Sequence, residues 1–383
     1  MPSRVGPSCA RVDLDALAAN VATLRLVAGR AQVLTVVKAD GYGHGMVQAA
    51  RAALAGGATW LGVAQLGEAL TLRGAGVSAP LLAWLFTPGE DLVAPVRADI
   101  DLGVSSLVAL GEVAAAARAA GRTARVHLKL DTGLSRNGLP LAQLDEVLRA
   151  LGPLQAEGAV ALVGAFSHLA CADQPGHASI AAQHREFAAA LAAIEPVAPA
   201  LEVRHLANSA ATLTAPQTHY DLVRVGIAAY GISPASALGR PEDLGLTPVM
   251  TLTARLASVK DVPAGTGVSY GHTYITPAPT RLGLVPLGYG DGIPRAASGI
   301  GPVAVGGRRH HIVGRVCMDQ VVIDLGPQSR AAPGDEVVVF GPPAAGGPSV
   351  QDWAECVGTI GYEIVTRIGA RVPREYVGVG GQA

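Results

Sequence analysis

Apolar residues before position 240 fall into short runs, separated by longer stretches in which apolar positions recur at helical spacing. The runs are 33–37, 60–64, 81–86, 100–104, 124–130, 162–168, 203–207 and 222–230. Each is proline-free and mostly apolar on successive positions, which reads as a strand buried on both faces. Between most of them, residues 46–54, 66–73, 106–120, 141–151 and 177–194 carry helical patterns. Residues 14–28 predict a further helix, with Asp13 or Asp15 as N-cap. The linkers after Phe86 and Ala207 are weak helix formers. Eight strands alternating with helices predict an α/β fold whose first domain is a TIM-type (β/α)8 barrel. An open doubly wound sheet is the competing architecture.

The pattern changes near residue 240. SALGRPEDLGLTP, residues 236–248, reads as a linker. Strand-like runs then follow at 251–262, 281–287, 311–316, 321–325 and 336–340, with Gly and Pro turns and one helix at 350–357. This predicts a β-rich C-terminal domain, a small barrel or sandwich. The expected division is 1–240 for the barrel and 241–383 for the β-rich domain, with the first ten or so residues packing on the latter.

Composition narrows the classes. The length of 383 residues exceeds one ordinary core and suits two domains. Half the residues are hydrophobic, yet no run approaches the ~18 apolar residues of a membrane span. The N-terminal stretch has no apolar core or processing signal, so a cytoplasmic location is expected. With 29 basic and 30 acidic residues and no basic block, nucleic acid is not an expected partner. The four cysteines lie far apart without zinc-ligand spacing, which fits a reduced compartment and no metal. No histidines form an HExxH pair, and the adjacent His310 and His311 point to opposite faces of a strand.

A barrel of this type carries its chemistry at the C-terminal ends of its strands. Lys38 ends the first strand, inside VVKADGYGHG at 36–45. KLDTGLSRNG (129–138), SHLACAD (167–173), HLANSA (205–210) and RVGIAAYG (224–231) end the fifth to eighth. A lysine amine among such partners suits a Schiff-base nucleophile; the alternative is a strand-capping lysine reaching water. Gly41, Gly43 and Gly45 lack the spacing of a dinucleotide fingerprint and read as a tight loop. Asn208 and Ser209 precede a helix, and Gly226 follows Arg224; with Tyr42 these outline a phosphate cup without lysines.

Those motifs, with GVSYGHTY (267–274), LGYGDGIPR (287–295), GRVCMDQ (314–320) and TIGYEIVTRIGARVPR (359–374), resemble in order those of the alanine racemases. These are pyridoxal 5′-phosphate (PLP) enzymes of a barrel and a β-domain. The resemblance implies that Lys38 holds PLP and acts as base on one face of the substrate α-carbon. Tyr270 is then the base on the opposite face, as racemisation requires. A phenol releases its proton near pH ~10, so His168 and Arg224 are expected to assist Tyr270. Arg224 would face the pyridine nitrogen, supported by His205. An arginine keeps its proton, so the ring nitrogen stays unprotonated and side reactions are limited. Tyr42, Ser209, Tyr362 and the backbone of Gly226 and Ile227 would hold the phosphate. Arg136 and the backbone near Met318 would meet the substrate carboxylate. Lys129, often carbamylated in the family, would orient Arg136. Tyr289, Cys317 and Asp319 would line the mouth or wall of the site, with Arg295 beside them. Tyr270, Met318 and Asp319 would come from the second subunit of a head-to-tail homodimer with shared sites.

Two positions depart from the family pattern. Leu134-Ser135-Arg136-Asn137 stands where Met-Gly-Arg and an apolar residue are commoner, and Gly290 stands where alanine is common. A non-catalytic PLP barrel is argued against by Tyr270, Tyr289 and the β-domain. A barrel amino-acid decarboxylase is argued against by the lack of its glycine-rich phosphate loop and late catalytic cysteine. A racemase of broader specificity, taking serine, is the remaining alternative, since one methylene is worth only ~1–3 kcal/mol. The expected role is D-alanine supply for peptidoglycan.

Overall fold

The computed structural model describes residues 6–199 and 201–378. Eight parallel strands form the barrel sheet: Gln32–Val36, Trp60–Val63, Leu81–Ala83, Asp101–Val104, Ala124–Asp131, Val160–Phe166, Val203–His205 and Leu222–Val225. Each pairs with its successor up to the seventh, and the eighth pairs with the first. The seam between seventh and eighth is bridged by Asp221 N–H to Arg204 O at 3.1 Å and Arg224 N–H to Ala207 O at 2.9 Å. Leu34, Leu61, Leu82 and Leu102 are fully enclosed in the core. The helix Leu14–Ala28 starts where the Asp13 side chain accepts the Ala16 N–H, and it stops at Gly29. The two weak linkers form only the short helices Val93–Arg97 and Ser209–Thr214.

The expected run 222–230 ends early. Gly226 N–H leaves the ladder for Ser209 Oγ at 2.8 Å, and Ile227–Tyr230 turns into a 3₁₀ helix.

The β-domain holds a nine-stranded sheet, ordered Ser258–Val262, Thr280–Val285, Val321–Asp324, Arg308–Val313, Pro302–Val305, Glu336–Phe340, Met250–Arg255, Ser8–Asp13, Arg374–Val377, and a small two-stranded sheet of Gly267–Val268 with Tyr274–Ile275. The single run expected at 251–262 is two strands, because the chain changes partner: Met250–Arg255 pairs with Glu336–Phe340, and Ser258–Val262 with Thr280–Val285. Ser8–Asp13 lies between Met250–Arg255 (antiparallel) and Arg374–Val377 (parallel). The sequence predicts that the first residues pack on this domain, though not as a strand, and it does not predict Pro302–Val305, Arg374–Val377 or the helix Gly361–Thr366. The expected helix at 350–357 is Val350–Cys356. No helix among the described residues is long and apolar enough to cross a membrane, and no metal-ligand cluster occurs among them.

The domains meet at the barrel mouth. Arg374 Nε donates to Gly43 O at 3.1 Å, while its Nη atoms donate to Ile368, Gly369 and Val372 carbonyls. The C-terminal segment thereby grips the loop that follows Lys38.

Candidate active site

A cavity of about 300 Å³ opens at the C-terminal ends of the strands. Lys38, Tyr42, Lys129, Arg136 and His168 line it, as do Asn208, Ser209, Arg224, Gly226, Ile227 and Tyr362. His205 sits directly behind Arg224.

Backbone geometry sets the first wall. Ala39, Asp40, Gly41 and Tyr42 all adopt positive φ, at 52°, 52°, 61° and 53°. Such left-handed turns cost about 1–2 kcal/mol per non-glycine residue, so local contacts must hold this one. Asp40 Oδ1 accepts the Met46 N–H at 2.9 Å, and Gly45 N–H donates to Asp40 O at 2.8 Å. His44 Nδ1 donates to Tyr42 O at 2.9 Å and Gly41 O at 3.0 Å. Asp40 and His44 are therefore scaffolding. The turn folds Tyr42 back against Tyr230, ring centroids 4.9 Å apart, and Tyr230 Oη donates to Val36 O.

Hydroxyls and amides gather at this end. Asn208 caps the helix Ser209–Thr214 by accepting the Ala211 N–H at 3.0 Å. A Cβ on Gly226 would stand 2.5 Å from the Tyr42 hydroxyl, so only glycine lets that hydroxyl lie over the backbone. Burial raises the pKa of Tyr42, and that of Tyr362 is pushed up to about 12 by burial and then Asp173. Both phenols stay neutral donors near neutral pH.

Across the cavity lies the enclosed Arg224 guanidinium. It donates to Ser167 O at 2.6 Å, His205 O at 2.8 Å and Leu206 O at 3.1 Å. His205 Nδ1 and His168 Nδ1 are each 3.3 Å away. Burial lowers the arginine to about 9, still a cation at neutral pH. Burial and then Arg224 hold His168 down at about 3 and His205 well below its ordinary value, so both imidazoles are neutral acceptors.

Behind them runs a chain that sequence reading missed. His205 Nε2 is 3.0 Å from His127 Nδ1, and His127 Nε2 is 3.1 Å from Asp101 Oδ2. Arg125 also reaches Asp101, at 2.8 Å. Arginine only donates and carboxylate only accepts, which fixes the direction: Arg224 to His205, His205 to His127, His127 to Asp101. Gly164 makes room, since a Cβ there would meet His127 Nδ1 at 2.2 Å. The missed signal is a two-residue period: Arg125, His127 and Lys129 share one face of the fifth strand.

Lys38 and Lys129 face this cationic site. Burial and then Arg136 lower the Lys38 pKa. Burial, then Arg136, Arg224 and Lys38, push Lys129 down to about 8. Phe166 and Trp84, also unforeseen, complete the lining.

Of the β-domain candidates, only Tyr362 lines this cavity. Tyr270 is 70% exposed, Met318 52% and Tyr289 43%. The fold nevertheless brings their loops together. Tyr289 N–H donates to Cys317 O at 3.0 Å, and Gly290 N–H to Met318 O at 2.8 Å. Ser269 Oγ donates to Arg315 O at 2.7 Å and lies 3.4 Å from Cys317 Sγ. Asp319 pairs with Arg371 at 2.7 Å, and Arg295 is exposed nearby in sequence to Tyr289. A Cβ on Gly290 would crowd Arg371 Nη1 at 2.8 Å, so the glycine at this departure leaves room for that arginine.

Residues 12–234 match the family model "Alanine racemase, N-terminal domain", and residues 249–376 match "Alanine racemase, C-terminal domain". The chain is similar to an alanine racemase of Thermobifida fusca, 55% identical over 96% of this chain and 98% of that one. It is similar to one of Streptomyces coelicolor, 55% identical over 96% and 95%. Among solved structures, that of the alanine racemase of D-cycloserine-producing Streptomyces lavendulae superposes with a TM-score of 0.96 at 54% identity, covering 98% of both chains. That of Bacillus anthracis with bound L-Ala-P gives a TM-score of 0.89 at 34% identity, covering 99% of this chain and 97% of that one.

Proposed function

The chain belongs to the alanine racemase family, and on that premise we propose how its own residues interconvert L- and D-alanine. The broader-specificity alternative is not favoured, since the relatives above are all alanine racemases.

The donor set fits pyridoxal 5′-phosphate. Neutral hydroxyls of Tyr42, Ser209 and Tyr362, with the backbone of Gly226 and Ile227 and the cap residue Asn208, offer a cradle for its phosphate. The Gly226 backbone lies open to the Tyr42 hydroxyl as such a cradle needs. Lys38 would anchor its aldehyde carbon, and Arg224, braced by His205 and flanked by His168, would face its ring nitrogen. When bound, the coenzyme supplies an electron sink that stabilises negative charge at the substrate α-carbon.

Lys38 Nζ would take or return the α-proton on one face. Its lowered pKa favours the neutral amine that this task needs. Arg224 holds its proton and would present a fixed positive charge to the coenzyme's ring. Arg136 would bind the substrate carboxylate as a charged fork. Lys129, partly neutral near pH 8, is suited to capture carbon dioxide as a carbamate and so orient Arg136.

The opposite face needs a second base, and we assign it to Tyr270 of a second copy of the chain in a homodimer. Exposed Tyr270, Tyr289 and Met318, with Cys317 and Asp319 beside them, would close the partner's cavity and supply a backbone donor to the carboxylate. The observation that carries this reading is the split itself: the lysine and the cations share one cavity, and the tyrosine loops stand exposed on another domain. The role we infer is D-alanine supply for peptidoglycan in the cytoplasm.

The test is a panel of L-amino acids assayed for the D-isomer, beside a Lys38→Ala control. D-alanine should dominate and vanish in the control. D-alanine formation at an undiminished rate by the control would remove Lys38 from the reaction.

A further inference from the structure

We propose that Glu68 is a positioning residue for Lys38, its carboxylate pinning the backbone on which the amine is mounted. The inference rests on the reading that Lys38 anchors the coenzyme. Glu68 Oε1 accepts the Ala39 N–H at 2.7 Å, and Oε2 accepts the Ala64 and Gln65 N–H groups at 3.0 Å each. One half-buried side chain therefore fastens the residue after Lys38 to the end of the second strand. The peptide before Lys38 is fastened to that strand as well, by Val37 N–H donating to Gly62 O at 2.9 Å. Lys38 is thus held from both sides, at the point where the left-handed run begins. A lysine stem has four rotatable carbons, so only a fixed backbone keeps its nitrogen aimed at one spot.

The same carboxylate bears on the amine's charge. The groups facing Lys38 from other elements are Arg136, Lys129 and His168, with Glu68 as the anion among them. Burial and Arg136 favour the neutral amine, and Glu68 opposes them. Removing the carboxylate charge should shift proton release from Lys38 to lower pH.

The experiment follows attachment of pyridoxal phosphate to the coenzyme-free full chain by absorbance across pH. In that step the neutral amine adds to the aldehyde carbon and the aldehyde oxygen leaves as water. Glu68→Gln keeps an acceptor for Ala39, so its plateau rate should stay within about twofold of wild type while its pH midpoint falls. Glu68→Ala should show the same shift with a plateau about ten- to a hundredfold slower, because the pin is lost. Wild-type rates and midpoints in both variants would overturn the proposal. A lowered melting temperature with an unmoved midpoint and plateau would overturn it too, since that is a helix cap alone. Lys38→Ala, run in parallel, must attach none; if it attaches coenzyme, the underlying assignment of Lys38 fails instead.

Discussion

Nη1 of Arg224 lies 3.3 Å from Nδ1 of His205, and the imidazole meets the guanidinium as an acceptor. The chain of donors continues through His127 to Asp101. Burial alone would raise the Asp101 pKa, but His127 and Arg125 outweigh it and hold the carboxyl below its ordinary value. A depressed folded pKa gives stability that is present above the unfolded value of about 4 and lost as pH falls through the folded one. Asp101→Ala should therefore lose about 1–3 kcal/mol at pH 7, from the unpaired His127 donor. It should also flatten the acid limb of a melting-temperature profile below about pH 4. An unchanged acid limb would show that Asp101 carries no such linkage.

Gly226→Ala would set a methyl 2.5 Å from the Tyr42 hydroxyl and push the phenol out of the proposed phosphate cradle. A hydrogen bond to a charged group is worth about 1.5–3 kcal/mol, so coenzyme binding should weaken about ten- to a hundredfold. Tyr42→Phe should weaken it similarly, and the double variant little further. Equilibrium dialysis against pyridoxal phosphate reads all three. Strictly additive losses would separate the two residues.

Lys129 titrates near pH 8, so its neutral fraction grows from about a tenth at pH 7 to a majority above pH 8. With ¹³C-bicarbonate, a carbamate resonance should appear and strengthen over that range. It should be missing in Lys129→Arg, whose KM for alanine should rise more than its kcat falls. A resonance that persists in Lys129→Arg would belong to another amine.

Tyr270→Ala and Lys38→Ala should each be nearly inactive alone. Co-expressed, they should recover about a quarter of wild-type activity, because in the proposed homodimer half the random dimers would be mixed and each of those would hold one complete site. No recovery in demonstrated mixed dimers would mean that both bases serve from a single chain.

Legibility followed the range of the interactions. Strand ends are readable because Lys38 ends one apolar run and Arg224 breaks another where the barrel opens. Asp101 and His127 each sit inside such a run, and the relay exists only once the fourth to seventh strands lie side by side. Glu68 is by position a first-turn acid of its helix; its meaning lies in a backbone amide 29 positions earlier. Ser8–Asp13 alternates Cys9, Arg11 and Asp13 with Ser8, Ala10 and Val12, and its partners lie hundreds of residues away. Local pattern does not name those partner strands.

That N-terminal strand has a consequence for how the molecule is made. It leaves the ribosome before every other described strand, yet one neighbour is Met250–Arg255 and the other Arg374–Val377. At synthesis rates of about 5–20 residues per second, the first neighbour arrives about ten seconds to most of a minute later. Until then Ser8–Asp13 is an unclaimed edge while the barrel behind it is free to fold. The chain closes like a clasp, its last described strand locking its first.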